Sequence, residues 1–236
     1  HLCQFLKTSN QINEKFKVDF RADNIYDING GNTWVTSANA DYLLRTNDTD
    51  VLDFELIHVG QKGLKSGKVY FIYGDKKHRE WILTDKGTTI YGKKFSTNVP
   101  YKWIREVGEY VFLATENGKV IVVDEKNRAT NVPLPEGITH INELKNTGYQ
   151  LLLATNLGVV IYNPRTFKSE IINIQSPSQP LAEVKKLYVD DYGTVWTFTN
   201  GMGVTIVNPK TSEKRWLFAD QPDPVDRTSS SKLFIT

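Results

Sequence analysis

A chain of 236 residues with 39% hydrophobic and 24% charged side chains holds enough apolar material to bury the core of one or two ordinary domains. Its 29 basic residues nearly balance 27 acidic ones, a formal net charge of +2 with no concentrated basic stripe, which excludes a nucleic-acid partner. A single cysteine, Cys3, excludes an internal disulfide or paired-thiol site, and no run approaches the ~18–20 apolar residues that cross a bilayer.

In chain order, residues 1–10 lack the basic start, apolar middle and small-residue cleavage site of a signal peptide, and the chain reads as a piece of a longer protein. Cys3 to Lys7 and Lys15 to Phe20 read as two strands of a partial unit over 1–20. Five similar units follow, over approximately 24–60, 67–99, 100–135, 137–175 and 184–219. Each carries a large apolar residue three before a hydroxyl residue: Trp34 and Ser37, Trp81 and Thr84, Phe112 and Thr115, Leu152 and Thr155, Trp196 and Thr199. The hydroxyl anchors are 47, 31, 40 and 44 residues apart, a mean near 40. A second marker, Asn163-Pro-Arg-Thr166 and Asn208-Pro-Lys-Thr211, repeats after 45 residues and reads as a type I turn. In the second unit a charged stretch, Asp75 to Glu80, reads as an insertion replacing the first turn. Residues 230–236 read as the first strand of a further partial unit.

The β-branched runs Lys119 to Val123, Val159 to Tyr162 and Val204 to Val207 favour strands, and no long window holds a 3.6-residue apolar period. In the last unit the strands fall at Lys185 to Val189, Thr194 to Thr199, Gly203 to Val207 and Lys214 to Phe218. A repeat of about 40 residues with four short strands predicts an all-β fold, a β-propeller of four-stranded antiparallel blades. About five blades are full and both ends are partial, so the whole chain is a single β-propeller or part of one.

The stretch Asp190 to Gly203, with its Asp-x-x-Gly-x-x-Trp-x-x-Thr core, resembles the regulatory propeller repeat. That repeat builds the extracytoplasmic sensor region of hybrid two-component histidine kinases in polysaccharide-utilising bacteria. The resemblance extends roughly over residues 24–218 and is strongest in the last unit. The first keeps Gly31, Trp34 and Ser37 but has Ala40 for the second glycine, and the units at Phe112 and Leu152 lack the tryptophan. The resemblance implies a periplasmic location within an inner-membrane protein, an oligosaccharide ligand, and self-association or contact with neighbouring sensor domains. It also implies a histidine kinase elsewhere in the full-length protein.

No catalytic motif stands in the sequence. The four histidines, His1, His58, His78 and His140, lack metal-ligand spacing, no cofactor motif is present, and Asp190 with Asp191 reads as a turn former rather than a catalytic pair. Trp34, Trp81 and Trp196 recur at one place in the repeat and read as packing between sheets. Tyr101, Lys102, Trp103 and Arg105 differ. They lie at the entry to a first strand and combine aromatic faces with polar donors, a pattern suited to sugar. On the loops after the second strands, Asn39, Asp85, Glu116, Asn117, Asn156 and Asn200 share one rim with His140. The ligand-binding candidates are Tyr101, Lys102, Trp103, Arg105, Asn117, His140, Asn156 and Asn200. The leading expectation is a non-catalytic sensor propeller. The alternatives are a protein-interaction scaffold and a carbohydrate-active enzyme, the last needing two carboxylates across a cleft.

Overall fold

The computed structural model describes residues 2–6, 11–16, 21–28, 32–37, 42–46, 54–174, 183–199 and 203–217. Among them are 22 strands. The first two, β1 (Leu2–Leu6) and β2 (Gln11–Phe16), form an antiparallel pair in which Leu6 faces Gln11. The second strand therefore starts earlier than the expected Lys15.

Five four-stranded antiparallel sheets follow, each with its strands in chain order. The first holds β3 (Ala22–Asp27), β4 (Thr33–Ser37), β5 (Tyr42–Thr46) and β6 (Phe54–His58). The second holds β7 (Val69–Gly74), β8 (Glu80–Thr84), β9 (Gly87–Ile90) and β10 (Ser96–Thr97). The third holds β11 (Trp103–Val107), β12 (Tyr110–Ala114), β13 (Val120–Val123) and β14 (Ala129–Asn131). The fourth holds β15 (Ile141–Asn146), β16 (Leu151–Thr155), β17 (Gly158–Asn163) and β18 (Lys168–Ile172). The fifth holds β19 (Val184–Val189), β20 (Val195–Thr199), β21 (Gly203–Val207) and β22 (Lys214–Leu217). Five four-stranded blades is the expected number. The expected first strand at 230–236 lies outside the described residues. The chain divides into two compact units, His1–Lys102 and Trp103–Thr236.

In the fourth blade the second strand, Leu151–Thr155, is buried along its whole length, which explains its unbroken apolar run: with a core on each face it has no wet side. Within the first unit Trp34, Leu43, Ile57, Ile72 and Ile82 form one core between adjacent blades. Within the second, Phe112, Leu144, Leu153 and Tyr162 form one, and Leu152, Ile161, Leu187 and Val195 another. Trp34 and Trp81 are fully buried, and Trp196 is half-buried.

The hydroxyl anchors close the hairpins between second and third strands. Thr84 Oγ1 donates to Gly87 O at 3.0 Å and accepts from the Lys86 amide, and Thr155 does the same with Gly158 O (2.8 Å) and Leu157. After the Thr155 anchor the backbone demands glycine: Gly158 sits at φ +123°, and a Cβ there would lie 2.6 Å from Ile172 O.

The stretch from Asp75 to Glu80 corrects the sequence expectation, since it is the standard first turn and not an insertion. Asp75 Oδ1 accepts the amides of Lys77 and Arg79, and Oδ2 accepts Trp81 Nε1 at 2.8 Å. Asp190 does the same with the amides of Tyr192 and Thr194 and with Trp196 Nε1 (3.0 Å). His78, at φ 56°, takes the left-handed position that Gly193 fills in the fifth blade. The Asn-Pro turns also run one residue longer than a simple type I turn. Phe167 N donates to Asn163 O and Ser212 N to Asn208 O, with both fifth residues left-handed.

In the first blade Ile28 stands where the turn aspartate belongs, and Trp34 has no carboxylate in its own turn. Glu80 of the second blade supplies one. It accepts Trp34 Nε1 (3.1 Å), Asn32 Nδ2 (2.6 Å) and a two-pronged contact from Arg45 (2.7 and 2.8 Å), and Arg45 lies over the rings of Trp34 and Tyr91. This buried charge cluster joins the two blades of the first unit.

Candidate functional site on the innermost strands

The first strand of each blade is bordered by a partner on one edge only, so its side chains and free edge are the groups a propeller offers toward its axis. Register makes the five strands comparable. The residues paired with the second-strand Trp, Phe or Leu are Tyr26, Tyr73, Arg105, Lys145 and Tyr188. Two residues earlier, on the same strand face, stand Asn24, Phe71, Trp103, Glu143 and Lys186.

In the first unit these positions are mainly aromatic. Tyr26 meets Phe71 edge to face at 5.7 Å, Phe71 stacks near Tyr73, and Asn24 Nδ2 donates to the Tyr26 hydroxyl. In the second unit they combine one indole with charges. Trp103 is half-buried against the core that holds Val107, Phe112 and Ile141, while the Arg105 guanidinium donates to Ile104 O at 2.6 Å. On the neighbouring blade Glu143 Oε2 accepts the Leu187 amide of β19 at 2.7 Å. Its Oε1 lies 3.6 Å from Lys145 Nζ and 4.0 Å from Lys186 Nζ.

A bulge opens four of the five innermost strands, at Asp23, Tyr70, Asn142 and Lys185, and β11 has none. An extra residue breaks the alternation of faces and re-aims a side chain. Asn142 uses this to reach the next blade, donating to Glu183 Oε1 (2.7 Å) and Val184 O (2.8 Å), and Lys185 Nζ pairs with Glu183 at 2.7 Å. Burial works to raise the Glu183 carboxyl, but the hydrogen bonds of Lys185 and Asn142 and the nearby charges of Lys185 and His140 outweigh it. The group is held below the usual carboxylate range. It is therefore ionised near neutrality and a poor proton donor. His140 Nε2 lies 3.8 Å from Glu116, and these residues form a polar rim at the start of β15 and β19.

The sequence candidates occupy distinct places around this geometry. Tyr101 is buried, which pushes its phenol up, and Lys102 is exposed; both close the first unit. Asn117 accepts the Thr115 hydroxyl within its own turn. Asn156 is a clamp: its Oδ1 accepts the amides of Thr139 and His140 and its Nδ2 donates to Gly137 O, which fixes the approach to β15. Asn200, like Asn39, lies outside the described residues. Trp103 and Arg105 share a strand face, and His140 stands at the rim. Glu143, Lys145 and Lys186 hold matching register positions on the next two blades, with Asn142 and Glu183 close to them in sequence, and spacing alone does not reveal it.

No family model matches the chain, and no curated protein is recognisably similar to it. Solved structures do resemble it. The extracellular domain of the putative one-component system BT4673 from B. thetaiotaomicron superposes at a TM-score of 0.55 with 19% identity, over 84% of this chain and 31% of that one. Virginiamycin B lyase from Staphylococcus aureus gives 0.59 with 12% identity, over 87% and 72%. YCF48 bound to D1 peptide gives 0.54 with 15% identity, over 86% and 69%. The chain thus spans about a third of the length of the BT4673 domain. At such identities the likeness is one of architecture, and with five four-stranded antiparallel sheets the chain has the β-propeller fold.

Proposed function

We propose that the chain is a non-catalytic part of the extracytoplasmic sensor region of a two-component signalling protein and that it responds to an oligosaccharide. In this reading the protein is periplasmic and held in the inner membrane, with its histidine kinase outside this chain. The observation that carries the proposal is the pairing of Trp103 with Arg105 on one face of an innermost strand, beside the Glu143 and Lys145 positions of the next blade. A partly exposed indole flanked by hydrogen-bonding and charged groups suits a sugar ring, whose apolar face stacks while its hydroxyls find partners. The sensor-type repeat at Asp190 to Gly203 and the fold likeness to a sensor's extracellular domain support the same reading.

The test is a thermal-shift screen against plant, host and microbial oligosaccharides, because a ligand selective for the native state raises its stability. A shift lost in both Trp103→Ala and Arg105→Ala, with folding intact by circular dichroism, supports the reading. No shift across the panel defeats it. The carbohydrate-active alternative is tested in the same samples by looking for cleaved sugar, and cleavage would make the chain an enzyme.

A second reading, a protein-interaction scaffold, is favoured by one observation. Tyr149, Phe167 and Tyr192 are 41%, 61% and 93% exposed and occupy turns after first or third strands, which antiparallel order places at one end of the sheets. Turn chemistry explains Asp190 and Gly193 but demands no aromatic at 192.

A further inference from the structure

The ion pairs around Glu143 do not balance. One of its oxygens is committed to the Leu187 amide at 2.7 Å. The other is shared by two ammonium groups, Lys145 Nζ at 3.6 Å and Lys186 Nζ at 4.0 Å, both beyond the 2.7–2.9 Å of a close charge-assisted hydrogen bond. The carboxylate is nearly buried, with 12% of its side chain exposed, whereas the lysines keep 35% and 66%. Two partly exposed cations are thus gathered over one carboxylate that can neutralise only one of them. Their strands fix them there: Lys145 pairs with Leu152 and Lys186 with Phe198, on neighbouring innermost strands. One blade earlier Arg105 occupies the register position of Lys145, and Trp103 lies two residues before it on the same face.

We propose that these positions bind an acidic group on the ligand, a carboxylate or a sulfate carried by an oligosaccharide, with Lys145 and Lys186 as its principal partners. The inference rests on the oligosaccharide reading above and narrows it to acidic sugars. Glu143 acts here as a positioning residue. Its bond to Leu187 ties β15 to β19, and its charge holds both ammonium groups at one point. An arriving acid group closes with the lysines and takes up the positive charge that, among the described residues, Glu143 leaves uncompensated. Lysine suits this role because its compact ammonium can swing from one carboxylate to another.

The experiment is isothermal titration of the full chain with three probes of matched size: trigalacturonate, a cellotriose sulfate ester and neutral cellotriose. At low salt either acidic probe is expected to bind about tenfold more tightly than cellotriose, with the advantage shrinking severalfold at about 0.5 M salt, as screening of exposed charges requires. Comparing the two acidic probes identifies whether carboxylate or sulfate is preferred. The Lys145→Gln/Lys186→Gln double variant should lose the acidic preference. Glu143→Gln keeps an acceptor for the Leu187 amide while removing the competing charge, and should tighten acidic binding severalfold.

Equal binding of acidic and neutral probes would overturn the inference while leaving oligosaccharide sensing intact. Acidic binding untouched by the double lysine variant would also overturn it. Absence of binding by every probe, together with a blank thermal-shift panel, would remove both.

Discussion

Replacing Glu80 by alanine tests the inter-blade cluster of the first unit. Four hydrogen bonds from Asn32, Trp34 and Arg45 converge on this carboxylate, with side-chain exposures of only 9% for Glu80 and 17% for Arg45. The variant removes the carboxylate partner of a nearly buried guanidinium and the acceptor of the indole N–H of a fully buried tryptophan. Breaking a buried ion pair from one side typically costs about 3–5 kcal/mol, a large share of the roughly 5–15 kcal/mol that holds a domain together. Urea unfolding followed by tryptophan fluorescence should show a loss in that range. Glu80→Gln should lose about 1.5–3 kcal/mol, because one amide oxygen cannot satisfy all the donors. The Arg45→Leu/Glu80→Leu double variant should recover most of the loss, since no charge is then left unpaired. A loss under about 1 kcal/mol for Glu80→Ala would refute the reasoning, because four hydrogen bonds would then add almost nothing.

Other positions give independent outcomes. Gly158→Ala forces a side chain into a left-handed φ and against Ile172 O, and should destabilise by about 1–3 kcal/mol in thermal or urea unfolding. Phe167 holds a left-handed conformation that asparagine and glycine adopt more easily, so Phe167→Asn should stabilise by about 0.5–1 kcal/mol; if the protein-interaction reading holds, it should also weaken partner binding. At Asp190, burial alone would raise the carboxyl, but hydrogen bonds from Trp196, Thr194 and Tyr192 prevail and hold it below its ordinary range. A depressed folded-state value means that the contribution is present above about pH 4 and lost as pH falls through the folded value. Asp190→Ala should therefore cost about 1–2 kcal/mol at pH 7, and the gap from the parent should close on acidification, measured as urea midpoints across pH.

The blades were legible because a packed repeat leaves marks that survive substitution: a hydroxyl that closes a hairpin, a glycine in most of those hairpins, and a large residue three positions before the hydroxyl. The turn at Asp75 was not, although Asp75 and Trp81 keep the six-residue spacing of Asp190 and Trp196. His78 in place of glycine disguised it, since the left-handed residue is usually the visible sign of such a turn. The candidate site was readable only at Trp103 and Arg105, where aromatic and cation stand close together. Lys145 and Lys186 look like ordinary solvated lysines in sequence. Their meaning comes from register, and the bulges at Asn142 and Lys185 shift the alternation by which a reader would have assigned them a face. Asn156 shows the opposite case, a loop residue on the expected rim whose side chain serves the backbone of Thr139, His140 and Gly137.

The most direct test of the central claim is the melting temperature of the chain across the oligosaccharide panel, run in parallel on the Trp103→Ala and Arg105→Ala variants. Sensing through the innermost strands predicts that at least one sugar raises it reproducibly and that both variants, folded by circular dichroism, lose the rise. A panel without any rise, or a rise that both variants retain in full, would contradict the claim.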